Sequence, residues 1–309
     1  MKSIFAVGET ILDIIFRDGQ PRAARPGGSS FNTAISLGRL KAPVTFISEM
    51  GNDRVGDIIC DFMVSNGVKT DYISRYEEGQ SAIALAFLNK ESDAEYQFYK
   101  DYPHQRLNVD FPEFLPDDLL MFGSYYALQK GIRPRVRELL EKARQQGATL
   151  VYDPNFRDSH ADERDLLIGN IRENMAMAHI VRASDEDMSN IFGSRSADES
   201  WETVKDLCDI FIYTSSAQTV SLRTHRLSLD LPVQIIEPLS TIGAGDTFNA
   251  GILYGIYTHG YRARELNGLD KEHWEELLGR AMTFSREVCL SYDNYLPEEF
   301  AERITKDPD

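Results

Sequence analysis

Cysteine is scarce in this chain, basic residues are outnumbered, and no apolar run is long enough to cross a bilayer. The three cysteines, Cys60, Cys208 and Cys289, are odd in number and far apart. That argues against a disulfide scaffold and against a cysteine-based zinc site, and it fits a reducing, cytoplasmic setting. Lysine and arginine total 33 against 49 aspartates and glutamates, a formal net charge of -16. No basic stripe offsets the excess, so nucleic acid is not an expected partner. An anionic small ligand stays compatible, because backbone N–H groups bind phosphate whatever the net charge. His104, His160, His179, His225, His259 and His273 follow no metal-ligand spacing. Three familiar site patterns are also missing: there is no GxxxxGK[ST] phosphate loop, no GxGxxG after the first apolar run, and no GxSxG nucleophile turn. The opening MKSIFAVGETILDIIF is interrupted by Glu9 and Asp13 and leads to no small-residue cleavage site. It reads as a first strand rather than a targeting segment.

What is present is a soluble composition, 42% hydrophobic and 27% charged over 309 residues, enough for one large core. Short apolar runs (SIFAVG, VTFISEMG, LLMFGS, TLVYDPN, HIVRAS, CDIFIYTSS) alternate with helical patterns such as SSFNTAISLGRLK, VGDIICDFMVSNG, IRPRVRELLEKARQQG and DERDLLIGNIRENMAMA. That alternation predicts a mostly parallel sheet covered by helices on both faces. One stretch breaks the rhythm. SAIALAFLNKESDAEYQFYKD reads as a hairpin around the polar turn Lys90 to Asp93, and DIIFRDGQPRAAR reads as another extended pair. Together they predict a small sheet attached to the body as a lid, with the polar tail AERITKDPD expected to fray.

Ligands of open parallel sheets bind where strands end, so the strand-end residues carry the functional expectations. In STIGAGDTFNAG, the small residues Gly243, Ala244 and Gly245 precede Asp246 at a helix start. Free amides there suit a phosphoryl group, and the carboxylate suits proton removal from an alcohol. The plainer reading, an aspartate capping a helix after a glycine turn, is open as well. In RPGGSSFNTA, Gly27 and Gly28 allow close backbone approach and Asn32 lies one turn into the helix, or the pair is simply a turn. Asp13 in GETILD is either a solvated strand end or an acceptor for a polyol. Asp53 in GNDRVGD reads as a cap, and Arg157 in DPNFR serves a phosphate or a surface ion pair.

Taken together and in order, GETILD, GGSSFNTA, GNDRVGD, YQFYKD, DPNFR, VRASDEDMSNIFG and STIGAGDTFNAG resemble the ribokinase-like, or PfkB-type, carbohydrate kinases over nearly the whole chain. DPNFR and SDEDMSNIFG look closest to the fructokinase and 2-keto-3-deoxygluconate kinase branch. The resemblance implies one domain over residues 1–309, a three-layer α/β/α sandwich with a mostly parallel central sheet, and a small β-sheet lid from segments about 12–25 and 82–102. It implies ATP-dependent phosphorylation of a sugar hydroxyl with magnesium. Asp246 would be the base; Gly243, Ala244 and Gly245 the anion hole; and Asp13, Gly27, Gly28, Asn32 and Arg157 the residues toward the sugar. Ser184 and Asp187 would lie near the phosphates and magnesium, and Thr214, Ser216 and Thr219 in the nucleotide loop.

The chain departs from the family pattern in places that matter. Ser240 replaces a usual Asp and Ile242 a frequent Thr where some members bind a monovalent cation, so the resemblance carries no potassium requirement over. The nucleotide loop TxGxxG is TSSAQT here, with Ser216 and Thr219 for glycines; NxxE is Ser184 to Asp187; and Tyr292 stands near the expected adenine. A nucleoside kinase on the same fold, with Phe87, Tyr96 and Phe98 as a lining, and a sugar-binding regulator without turnover are the alternatives. Exposed lid strands would suit edge-to-edge pairing of two copies.

Overall fold

The computed structural model describes residues 2–88, 94–215 and 218–306. In chain order its elements are β1 (Ile4–Val7), β2 (Ile11–Arg17), β3 (Gln20–Gly27), α1 (Ser29–Arg39), β4 (Val44–Gly51), α2 (Arg54–Ser65), β5 (Lys69–Tyr76), β6 (Gln80–Leu88) and β7 (Ala94–Asp101). Then follow β8 (Leu119–Gly123), α3 (Arg133–Gln145), β9 (Thr149–Asp153), α4 (Arg164–Met177), β10 (Ile180–Ser184), α5 (Asp185–Phe192), α6 (Ala197–Val204) and β11 (Ile210–Ser215). The chain closes with β12 (Thr219–Thr224), β13 (Ser228–Pro232), α7 (Ala244–His259), α8 (Ala263–Leu266), α9 (Lys271–Cys289) and α10 (Glu298–Lys306).

Nine strands form the main sheet in the order β13-β12-β11-β10-β9-β8-β1-β4-β5. The pairs from β11 through β5 are parallel, and the pairs β11–β12 and β12–β13 are antiparallel, so that β12 alone of the nine runs against the rest. Period-two alternation sorts the side chains onto two helical layers. Ile4, Leu119, Met121, Val151, Ile180, Ile210 and Ile212 join the core under α1, α7 and α9. Their neighbours Phe5, Val7, Leu120, Phe122, Tyr152, Val181 and Phe211 join the core under α3 and α4. Both faces are therefore dry, and the expected three-layer α/β/α architecture is observed.

The second sheet has the order β3-β2-β6-β7. It is mixed: β2 pairs antiparallel with β3 and parallel with β6, and β6 pairs antiparallel with β7. The strands match the expected lid segments, while the turn Lys90 to Asp93 lies outside the described residues. Leu12 drops into the main core and fixes this sheet to the body. The tail is a correction: α10 covers Ala301 to Lys306, because Phe300 and Ala301 are buried and the apolar face of the helix packs on the core. Among the described residues no helix is long and apolar enough to cross a membrane.

Candidate active site

Two helix N-termini meet at Asp246. Helix α7 begins at Ala244, with Gly243 as its N-cap at φ 79°, a left-handed conformation that only glycine adopts freely. Helix α1 begins at Ser29 after Gly28. Ser29 Oγ donates to Asp246 Oδ1 at 2.7 Å, and Asn32 Nδ2 donates to Oδ2 at 2.9 Å. Thr33 Oγ1 anchors the same residue through its backbone oxygen at 2.8 Å. Asp246 is 7% exposed. Burial pushes its carboxyl up to about 6; the bonds from Asn32 and Ser29 and the charge of Arg157 oppose that, and Asp153 adds to it. This places a carboxylate near the ideal range for a base working at neutral pH.

The amides in front of it are open. Gly243, Gly245 and Asp246 donate no backbone hydrogen bond among the described residues, as the first turn of a helix dictates. Ala244 donates a long one, 3.3 Å, to Thr241 O. The start of this 16-residue helix thus offers a half-exposed set of backbone donors at its positive end, with Ala244 the least free of them.

On the small-sheet side, Asp13 in β2 is half-buried, lies over Gly27, and has its carboxyl pushed up to about 6 by burial. Strand register puts Asp13, Ala84 and Phe98 in one row and Ile15, Ala86 and Tyr96 in the next. Tyr96 and Phe98 stack at 5.8 Å and are more than a third exposed. Lys100 Nζ pairs with Glu9 at 2.8 Å, and Tyr102 OH also bonds Glu9. A cavity of about 1050 Å³ is lined by Lys100, Tyr125, Gln129, Lys130 and Glu163, so it borders that pair; Asp246 is not in its wall. Asn32 Oδ1 is a buried acceptor with no partner among the described residues.

On the other side, Asp153 at the end of β9 is 1% exposed and accepts from Arg182 Nη1 at 2.9 Å and from Asn249 Nδ2 at 2.6 Å. Arg182 Nη2 reaches Thr214 Oγ1 at 2.6 Å. Asp187 forms a capping box with Ser184 at the start of α5. Its Oδ2 accepts from Ser184 N and Oγ at 2.8 and 2.6 Å, and its Oδ1 from Phe156 N at 2.5 Å. Arg157 pairs with Glu186 at 3.1 Å and is 58% exposed at the side chain.

A search of family models matches the pfkB family carbohydrate kinase over residues 1–299. The chain belongs to that family. This carbohydrate kinase is 23% identical over 262 residues to a fructokinase of Vibrio alginolyticus, covering 84% of this chain and 85% of that one. It is 27% identical over 262 residues to a fructokinase of Rhizobium leguminosarum bv. trifolii, covering 82% and 79%. Its fold matches aminoimidazole riboside kinase from Salmonella enterica, solved with aminoimidazole riboside and an ATP analogue. There the TM-score is 0.83 at 19% identity, with 98% of this chain and 100% of that one covered. A fructokinase with bound ATP from Xylella fastidiosa matches at TM-score 0.80 and 20% identity, over 99% of both chains.

The kinase brings Asn32 and Asp246 together as the motifs imply, with Gly28 at the head of α1 and Asp13 on the small sheet. Asp187 is occupied as a cap. Thr214 faces Arg182. Thr219 is an ordinary strand residue paired with Ser215, so it carries no positive-φ strain, and Ser216 lies outside the described residues. Ser29, Thr33, Arg182 and Asn249 escaped the motif reading. The signal for Arg182 was in the strand pattern: a charged residue in the middle of HIVRAS, at a core-facing position.

Proposed function

We propose that this carbohydrate kinase moves the γ-phosphoryl group of ATP to a hydroxyl of a sugar, of the fructose or keto-deoxy-sugar kind. The carrying observation is the Asp246 carboxyl, buried, held by Ser29 and Asn32, and raised to about 6 beside open amides. In the proposed step the acceptor oxygen attacks phosphorus, the bond to the ADP oxygen breaks, and the hydroxyl proton passes to Asp246. Amides of Gly243, Gly245 and Asp246 receive the charge on the transferring group. Phosphoryl transfer asks a protein mainly for such positioning and charge stabilisation, and one oxyanion-type donor is worth roughly 3 kcal/mol. Asp13, Gly28 and Asn32 hold the acceptor, with the partnerless Asn32 Oδ1 ready for a hydroxyl donor. The small sheet closes over it and excludes water.

Magnesium enters with the nucleotide as MgATP. Among the described residues no cluster of three or more acidic, His or Cys side chains is arranged for a metal, and Asp187 is committed to its cap. Ser184, Asp187, Arg157 and the Thr214–Thr219 segment then border the phosphates.

A riboside acceptor is the second reading. It is favoured by the exposed Tyr96–Phe98 stack on the Asp13 face and by an aminoimidazole riboside kinase of Salmonella typhimurium that is 24% identical over 261 residues. A coupled ADP-release screen over ketoses, aldoses, sugar acids and ribosides tests both. Asp246→Asn should retain acceptor binding and lose turnover by about 10²- to 10⁴-fold. Turnover near that of the unaltered protein in this variant would remove the proposed base.

A further inference from the structure

Gly245 sits inside the first turn of α7 with no positive φ, so its backbone does not call for glycine. What excludes a side chain there is Arg182. A Cβ at position 245 would stand 2.8 Å from Arg182 Nη1, 3.2 Å from Nη2 and 3.3 Å from Cζ. The guanidinium occupies the space that a side chain at Gly245 would need, and so packs directly against this residue of the turn. It reaches this place by strand alternation: Val151 and Asp153 on β9, Ile180 and Arg182 on β10, and Ile212 and Thr214 on β11 share the face turned to α7. Inside, these strands carry apolar side chains; at their ends the same face carries Asp153, Arg182 and Thr214, joined by bonds of 2.9 and 2.6 Å. Asn249, on the next turn of α7, ties the helix to the same Asp153 oxygen at 2.6 Å. The Phe248 ring lies 5.8 Å from the guanidinium carbon and closes the other side.

We propose that Arg182 is a positioning residue for phosphoryl transfer: its buried guanidinium fixes the Gly245 peptide and sets a positive charge directly behind the phosphoryl-binding turn. This rests on the kinase reading given above. Asp153, Asp187 and Asp246 are all less than a tenth exposed, and Arg182 is the buried cation among them. A γ-phosphate arriving at the turn adds more negative charge to that set. Arg157, the other cation of the corner, is mostly exposed and screened. A fixed charge in a dry site acts far more strongly than one in water. Among the described residues Arg182 Nε is a buried donor without a partner, so the guanidinium is not fully paired by Asp153 and Thr214.

A purely structural ion pair between Arg182 and Asp153 would hold the fold without favouring ATP over ADP, so the test is that preference. Calorimetry with ADP and with ATP, magnesium present and no acceptor, is run on the unaltered protein, Arg182→Gln and Arg182→Lys. The ATP-over-ADP preference should fall about tenfold in Arg182→Gln and be largely kept in Arg182→Lys, while turnover in the glutamine variant falls about 10²-fold with acceptor KM little changed. Should Arg182→Gln not fold, Arg182→Gln with Asp153→Asn restores the charge balance and reads the same preference. A preference unchanged in these variants while the melting temperature falls overturns the proposal, whether or not the protein turns over. Loss of the preference in a protein that releases ADP with no acceptor sinks the kinase reading and upholds the role of Arg182. An unaltered protein that binds no ATP overturns both.

Discussion

Ser29 Oγ lies 2.7 Å from Asp246 Oδ1, a bond that joins the first residue of α1 to the first turn of α7 across 217 residues of sequence. The bond does two things. It stabilises the ionised carboxylate, and together with the bond from Asn32 to the other oxygen it fixes the orientation of the carboxyl group. Ser29→Ala removes one donor and leaves Asn32 in place. The expected result is an acid limb of kcat/KM displaced to higher pH by about one to two units and a rate at pH 7 lower by about twofold to tenfold, in line with about 1.5–3 kcal/mol for a hydrogen bond to a charged group. A pH–rate profile of the variant checks it; an unmoved limb would show that Ser29 does not govern this carboxylate.

The same burial has a consequence for stability. Asp246 titrates near 6 in the fold against about 3.8 for a free side chain. The folded chain therefore binds the proton more tightly than the unfolded chain, and stability falls as pH rises from about 4 through 6. The ionised carboxylate then costs the fold roughly 3 kcal/mol at neutral pH, from 1.36 kcal/mol per pKa unit. Asp246→Asn should remove much of that penalty. Urea unfolding should show the variant more stable than the unaltered protein at pH 8 and the difference shrinking at pH 5. Activity moves the other way, rising through an apparent pKa of about 6. A stability difference that is flat across this range would mean that the carboxyl is not perturbed.

Legibility in the sequence followed the physics of each feature. The strands of the main sheet and their two-layer core could be read because apolar alternation is a local pattern, as in Ile4, Phe5, Ala6 and Val7. The small sheet could be read because its strands lack intervening helices. Gly243 and Asp246 could be singled out because their spacing is local and shared with a family. Ser29, Asn249 and Arg182 were not, because their roles exist only after β9, β10, α1 and α7 are brought to one corner. The expected fraying failed over Ala301 to Lys306 for the reverse reason, and residues 307–309 lie outside the described residues. AERITKDPD is polar overall, yet the burial of Phe300 and Ala301 is enough to hold a short amphipathic helix.

Gly243 gives a sharper test of the turn. Its φ of 79° is unfavourable to any side chain, and a Cβ there would overlap Asn294 O. Gly243→Ala must therefore move the loop at Asn294 or reshape the first turn of α7. Strain of this kind costs about 1–3 kcal/mol, so melting should fall by several degrees. Turnover should fall further than the stability loss explains, by about 10²-fold, because the amides leave their places. Full turnover in a folded Gly243→Ala protein would show that transfer does not need this turn.

The loop that packs on Gly243 is also held from the small sheet. Arg25 Nη1 on β3 donates to Tyr292 O at 2.7 Å and to Asp293 Oδ1 at 2.9 Å. Asn294, the next residue, is the one that meets Gly243. A single side chain therefore links the small sheet to the loop that packs on the Gly243 turn. Both partners of the ion pair are about a third exposed or more, so its direct worth to stability is about 0–1 kcal/mol and screened by salt. Arg25→Ala should leave melting nearly unchanged. If the link transmits closure, the variant raises KM for the acceptor several-fold and weakens the gain in ATP affinity that bound acceptor confers. Titrating ATP with and without a non-reacting acceptor analogue measures that gain directly, and an equal gain in both proteins would show that the two sides of the cleft close independently of Arg25.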